Sequence, residues 1–257
     1  MFKPGIDIRA TFSPLGYEYG KGVYGPKPET RHLDDIRKSL MDPDCEGPND
    51  LYAIVMDIGN ELHREDMLER DLLFASCVYN YGQMGQEPIR SQGHIHAKSL
   101  SCNSSTCELY EIWEGEAIIY MQEYVQDYPG RCFAIRAKQG EVVIVPPFWG
   151  HQTVNANLDK PMVFGAWCVR DYGFDYDDVR AHKGLAYYPV VKDKEIIWHK
   201  NPHYLDSTLV ERSPRIYTEF GIDPTKPIYQ QFVQDPDRML FVSKPATAAD
   251  LWLNFEP

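Results

Sequence analysis

Between residues 89 and 169 short β-prone runs alternate with turn residues, roughly every 8–12 positions. That rhythm builds an all-β sandwich or barrel and excludes a helical bundle or a βαβ fold. Into this stretch the chain sets Gly93-His94-Ile95-His96, then Glu108, then Pro146-Pro147-Phe148-Trp149-Gly150-His151. Three imidazoles and one carboxylate are a ligand set for a transition-metal ion. His94 and His96 are two apart, so on a strand both side chains point to one face. Such a pair reaches one ion at metal–nitrogen distances of ~2.0–2.2 Å. Glu108 sits in a strand-like run to Trp113, and His151 opens another to Asn155. Strands remote in sequence converge inside a barrel or jelly roll. The ordinary alternative, core histidines satisfied by hydrogen bonds, fits less well with a His-x-His pair, a Glu and a Gly-His in separate segments.

The chain has 257 residues and 29.7 kDa, enough for one large β domain with appendages. At this size about 70–75% of the unfolded surface is buried, so the core needs no staples. A net charge of −12 argues against nucleic-acid binding and against attraction to anionic lipid. The N-terminus lacks the apolar stretch of a secretory signal. No apolar run approaches the ~20 residues that span a membrane. Cys45, Cys77, Cys102, Cys107, Cys132 and Cys168 follow no framework spacing. They read as reduced thiols of a cytoplasmic protein. Cys102 and Cys107 lie near His96, but two loop thiols are the default reading there.

Residues 1–45 read as an N-terminal arm with a short helix, 46–199 as the β domain, and 200–257 as an extension that wraps the core. A hairpin is expected at Tyr17–Tyr24. Thr30 is placed to cap a helix over Arg31–Met41, with Asp34 and Asp35 in its first turn. Leu51–Ile58 and Leu72–Tyr81 read as strands, and Glu61–Asp71 as a short helix or long turn. The first histidine strand is Ile89–His96, and residues 97–107 form a polar loop close to the metal. Three hairpins follow: Glu108–Trp113 with Ala117–Glu123, Cys132–Ala137 with Glu141–Val145, and His151–Asn155 with Met162–Val169. Leu185–Val191 pairs with Glu195–His199, and Thr247–Phe255 forms a terminal helix capped by Thr247.

The two histidine segments resemble the two cupin motifs. The first stands here as Gly93-His94-x-His96, Glu108 and Gly115; the second as Gly140, Pro146, Gly150-His151 and Asn155. The wider match, Ser91 to Lys98, Glu108-Leu109-Tyr110 and Val145 to Asn155, is similar to the archaeal-type, metal-dependent glucose-6-phosphate isomerases. It covers roughly residues 30–195. The fold implied is a cupin double-stranded β-helix (jelly roll) with a few short peripheral helices. The activity implied is isomerisation of glucose 6-phosphate to fructose 6-phosphate, a step of glycolysis and gluconeogenesis. The resemblance also implies a homodimer and one divalent transition metal per chain, Fe(II) first, with Mn, Ni or Zn as alternatives.

Under that resemblance His94, His96, Glu108 and His151 hold the metal. Glu108 is the base of an enediol proton transfer and Tyr110 its helper. Coordination lowers a carboxylate's basicity, and a metal-supported hydride shift is the rival route. Ser91, the Gly93 amide, Lys98 and Tyr176 are the phosphate contacts, with Arg90 as local electrostatic support. Two departures stand out. Loop 97–107 is longer than is usual in the family. Phe174 stands where a histidine is expected, and Cys168 near an expected tyrosine. Two other readings use the same quartet: an Fe(II)-dependent cupin dioxygenase, and a non-catalytic sugar-phosphate-binding cupin.

Overall fold

The computed structural model describes residues 2–257, and its two main sheets are joined by strands far apart in sequence. The larger runs Val142–Val145, Glu108–Glu114, Met162–Val169, Leu72–Tyr79, Asp50–Asn60, Val23–Tyr24, with Glu29–His32 also paired to Asp50–Asn60. The smaller runs Gly150–Asn155, Glu116–Gln122, Cys132–Lys138, Leu209–Arg212, the last pairing parallel. All other pairings in the two sheets are antiparallel. This is the double-stranded β-helix.

None of the three hairpins expected between 108 and 169 forms. Glu108–Glu114 and Glu116–Gln122 lie in different sheets, as do Cys132–Lys138 and Val142–Val145, and Gly150–Asn155 and Met162–Val169. A turn fixes where the chain reverses, not which sheet receives it. Only Gly115 separates the first pair, too little for the two-residue loop of a hairpin. The chain therefore steps across the sandwich at Gly115, whose φ is +76°. A Cβ there would lie 2.8 Å from the Pro161 carbonyl oxygen. The hairpin expected around Lys192–Lys194 does form: Tyr187–Lys192 pairs with Glu195–Lys200, and Asp193 and Lys194 both have positive φ.

Ile89–His96 is not a continuous strand either. Within it only Ile95–His96 is regular, paired with Phe174–Asp175, and the residues before it touch their neighbour at single bridges, Arg90 to Val154 and His94 to His151. Gly93, at φ +90°, breaks the extension. At the N-terminus the hairpin is Ile8–Phe12 with Leu15–Tyr19, because Pro14 supplies an earlier turn. Val23–Tyr24 joins the large sheet instead. The helix expected over Arg31–Met41 is one α-turn, Leu33–Ile36, and a 3₁₀ turn, Arg37–Ser39. Strand Asp50–Asn60 recruits Thr30 and Arg31 into Glu29–His32, so Thr30 caps nothing. His32 takes that place, its N–H donating to the Asp35 carboxylate at 2.8 Å. The expected terminal helix is likewise shorter, Ala249–Trp252 after a 3₁₀ turn. Thr247 Oγ1 donates back to the Lys244 carbonyl at 2.8 Å rather than capping.

Two apolar layers result. One fills the space between the sheets, with Ile112, Ile119, Phe133, Val143 and Phe164. The other lies on the outer face of the large sheet, where Phe74, Leu109, Trp113 and Trp167 meet Tyr229 and Phe232 of helix Ile228–Gln234. Leu72–Tyr79 is therefore buried along its whole length, as its unbroken apolar run implies. Trp167 stacks on Tyr229 at 5.7 Å between ring centroids. Fully burying an aromatic such as Phe232 stabilises by roughly 1.5–3 kcal/mol.

Candidate metal centre

His94 and His151 face each other across a backbone bridge, each N–H donating to the other's carbonyl at 3.0 and 2.9 Å. His96 sits one register step away, paired with Phe174. Glu108 opens a strand of the large sheet and points between the sheets, as do Tyr110 and Ile112. The result is one convergence point: ligand atoms of His94, His96, Glu108 and His151 all lie within 4.8 Å of one another. Alternation along a regular strand is not what aligns His94 with His96; the bridges on either side do.

Backbone carbonyls set the ring orientations. His96 Nδ1–H donates to Thr106 O at 3.0 Å and His151 Nδ1–H to Trp149 O at 3.2 Å. That orients each ring and turns each Nε2 toward the centre of the cluster, where it can share a proton with Glu108 or give its lone pair to a metal. His96 Nε2 is 3.1 Å from Glu108 Oε2. His151 Nε2 is 3.4 Å from the same oxygen but lacks hydrogen-bond geometry. The Nε2 atoms of His94 and His151 are buried without a partner. A buried polar atom left so costs ~1–3 kcal/mol. Two lone pairs aimed at one point beside a carboxylate fit a divalent cation.

The electrostatics agree. Burial, aided by the neighbouring His151 and His96, pushes the His94 imidazole well below its ordinary range, so the ring is neutral. Burial also lowers His151. At Glu108 burial acts upward, but the His151 and His96 imidazoles outweigh it and hold the carboxyl below the usual range. Tyr110 donates to Glu108 Oε2 at 2.8 Å. Burial and the Glu108 charge push its phenol well above its ordinary range, so it is a donor, not a phenolate.

Loop 97–107 curls back behind the cluster. A bridge between Ser99 and Ser104 closes it, and Asp171 accepts from Ser99 Oγ and the Ser101 N–H at 2.7 and 2.9 Å. Its far end supplies the Thr106 carbonyl to His96. Ser105 Oγ accepts the N–H of Phe148 at 3.0 Å. Phe148 has φ +70°, a strained conformation for an aromatic, three positions before His151.

Three members of the cluster, His94, Glu108 and His151, line a cleft. Ser91 and Tyr176 line it. Ser91 Oγ accepts the Thr153 N–H at 3.0 Å, and the Arg180 guanidinium lies 4.8 Å over the Tyr176 ring. Gly93 packs against Leu185 and does not line the cleft; Lys98 is exposed outside it. Arg90 is buried and bonded to Glu87, Ser39, Ser91 and Gln152, a structural tie. Phe174 packs edge-on against His94 at 4.5 Å between centroids, and Cys168 lines the wall. Cys102 and Cys107 are free thiols, as are the other four cysteines. Arg31 and Tyr52 also line the cleft. No motif singles out either. The signal for Arg31 is the short β-prone run after Pro28, masked by the helical look of residues 33–41.

Two mainly antiparallel sheets curled around an inward-facing histidine–carboxylate cluster define a cupin. The profile described as "Glucose-6-phosphate isomerase (GPI)" matches residues 45–206. The chain belongs to the glucose-6-phosphate isomerase family of enzymes. A "Glucose-6-phosphate isomerase" from Pyrococcus horikoshii is 30% identical over 203 residues, covering 74% of this chain and 97% of that one. One from Thermococcus litoralis is 28% identical over 196 residues, covering 74% and 94%. A solved oxalate oxidase overlays with a TM-score of 0.36 at 14% identity, over 48% of this chain and 54% of that one. Among the described residues no helix is long and apolar enough to cross a membrane.

Proposed function

We propose that this chain interconverts glucose 6-phosphate and fructose 6-phosphate at a single divalent metal, Fe(II) first, held by His94, His96, Glu108 and His151. Residues 46–199 are the cupin domain, 1–45 an N-terminal arm and short helix, and 200–257 an extension wrapping the core. One observation carries the reading: in a chain of this family, four ligand atoms lie within 4.8 Å of one another, three of them on residues that line a cleft and two of them buried and unpartnered.

A bound divalent metal supplies Lewis acidity toward adjacent sugar oxygens and offsets charge that develops in the transition state. The chain's own groups do the rest. Glu108 takes the proton from C2 of the aldose and returns it to C1, through a cis-enediol, while the hydroxyl proton passes from O2 to O1, so aldose and ketose interconvert with no atom lost. Its neighbouring imidazoles make Glu108 a weak base, which favours an acidified C–H over a strong carboxylate. The Tyr110 hydroxyl holds the Glu108 oxygen in line. Phe174, against His94, keeps water from that side of the centre. Ser91 and Tyr176 contact the far end of the sugar phosphate.

The test is a coupled assay of EDTA-stripped protein, reloaded separately with Fe(II), Mn(II), Ni(II) or Zn(II) in anaerobic buffer. Turnover of glucose 6-phosphate with at least one metal is expected, which also excludes a need for O₂. Normal metal uptake with no turnover under any loading sinks the reading and favours a binding protein.

A further inference from the structure

A phosphate monoester carries ≈ −1.5 to −2 charge at pH 7. Placing it in a cleft walled by Ile54, Met56, Phe164 and Phe174 is costly without a cation. Lys98 and Arg90 do not meet that need, one lying outside the cleft and the other buried in bonds elsewhere. Among the described residues lining the cleft, Arg31 is the one Lys or Arg.

We infer that Arg31 grips the phosphate of the substrate and sets the preference for phosphorylated over free sugars. This rests on the isomerase reading for the substrate's identity, not for the site's existence. Three features support it. Arg31 pairs directly with Tyr52 across two strands, and Tyr52 and Ile54 both line the cleft, so Arg31 sits on the cleft-facing side of the sheet. The register slips between Arg31 and His32, a bulge of the kind that re-aims a side chain beside a site. Arg31 is tied only to Glu29, at 2.9 Å, with side-chain exposures of 34% and 67%. An ion pair that exposed is worth ~0–1 kcal/mol, so a dianion displaces Glu29 readily. The planar guanidinium then offers two parallel N–H donors to phosphate, which a lysine cannot.

The experiment measures binding by calorimetry on metal-loaded full-length protein. The probes are a phosphorylated sugar acid and the same acid without phosphate. Arg31→Gln is expected to weaken the phosphorylated probe about a hundredfold and leave the other unchanged. Arg31→Lys is expected to fall between. Glu29→Gln removes the competing carboxylate and is expected to tighten the phosphorylated probe several-fold, a gain that misfolding cannot imitate. Equal losses for both probes, or no change in Arg31→Gln together with none in Glu29→Gln, overturn the inference. Wild-type protein that prefers the phosphorylated probe through Arg31 yet never isomerises glucose 6-phosphate leaves this inference standing and removes the isomerase reading. Brisk turnover unaffected by Arg31→Gln does the reverse.

Discussion

Glu108 and Glu111 are buried carboxylates three residues apart on one strand, and they face opposite ways. Glu108 points between the sheets, among His96, His151 and Tyr110. Glu111 points outward beneath helix Ile228–Gln234, where it accepts the Ile228 N–H and the Trp113 Nε1–H, each at 2.9 Å. Burial acts upward on both. At Glu108 the imidazoles outweigh it and keep the charge. At Glu111 two neutral donors do not, and burial pushes its pKa up to about 8. Burial alone therefore does not mark a carboxylate for chemistry; what surrounds the buried group decides whether it serves as an anion or as a neutral acid.

The largest effect should come from emptying the inner side. His94→Ala or His151→Ala is expected to abolish isomerase activity and bring bound metal from one per chain to none, read by metal analysis beside the coupled assay. Retained stoichiometry would break the contrast, since the inner side would then not be a metal cage. On the outer side the effect is on stability. Folded Glu111 titrates near 8 and an unfolded glutamate near 4.5. Between these values the folded chain keeps a proton that the unfolded chain has released. The Glu111 contribution is thus intact below about pH 4.5 and is lost as pH rises through about 8. Full ionisation costs on the order of 5 kcal/mol. Denaturant midpoints from pH 5 to 9 should fall for wild type, and Glu111→Gln should flatten that slope. It should also add a pH-independent loss, because an amide NH₂ cannot accept from Trp113. An unchanged slope would put the titrating group elsewhere.

A smaller effect sharpens the inner side. Tyr110→Phe removes the donor that favours the charged form of Glu108. Activity should fall about ten- to a hundredfold. The acid limb of the pH–rate profile should move to higher pH as the Glu108 carboxyl rises toward its ordinary range. The smallest effect sharpens the outer side. Gly165 pairs with Glu111, and a Cβ there would lie 2.1 Å from Trp113 Cζ2. Gly165→Ala should destabilise by about 1–3 kcal/mol in thermal melts without changing metal content.

The convergence of His94, His96, Glu108 and His151 was legible in sequence because residue type and spacing carry it directly. So was the strand content from 50 to 169, which follows from alternation and turn residues. Strand pairing was not. Gly115, Lys138 to Gly140 and the 156–161 segment look like hairpin turns, yet each carries the chain to the opposite sheet, and only the packing of both faces decides that. Arg31 escaped because Asp34, Asp35 and the Leu33 and Ile36 pair signal a helix, while Asp50–Asn60 claims the residues just before it as a strand. Glu111 escaped because its partner, Ile228, lies 117 positions away.

The Ser99–Ser104 bridge separates two parts of one loop. Beyond it Leu100 is 91% exposed, while on the near side Thr106 is buried and orients His96. The Leu100 side chain can therefore be exchanged or tagged without disturbing the imidazole, whereas changes at Ser101 break its tie to Asp171 and deletions that pull on residues 105–107 reach His96 directly. A fluorophore or affinity handle placed at position 100 is accordingly a way to watch the enzyme without touching its chemistry.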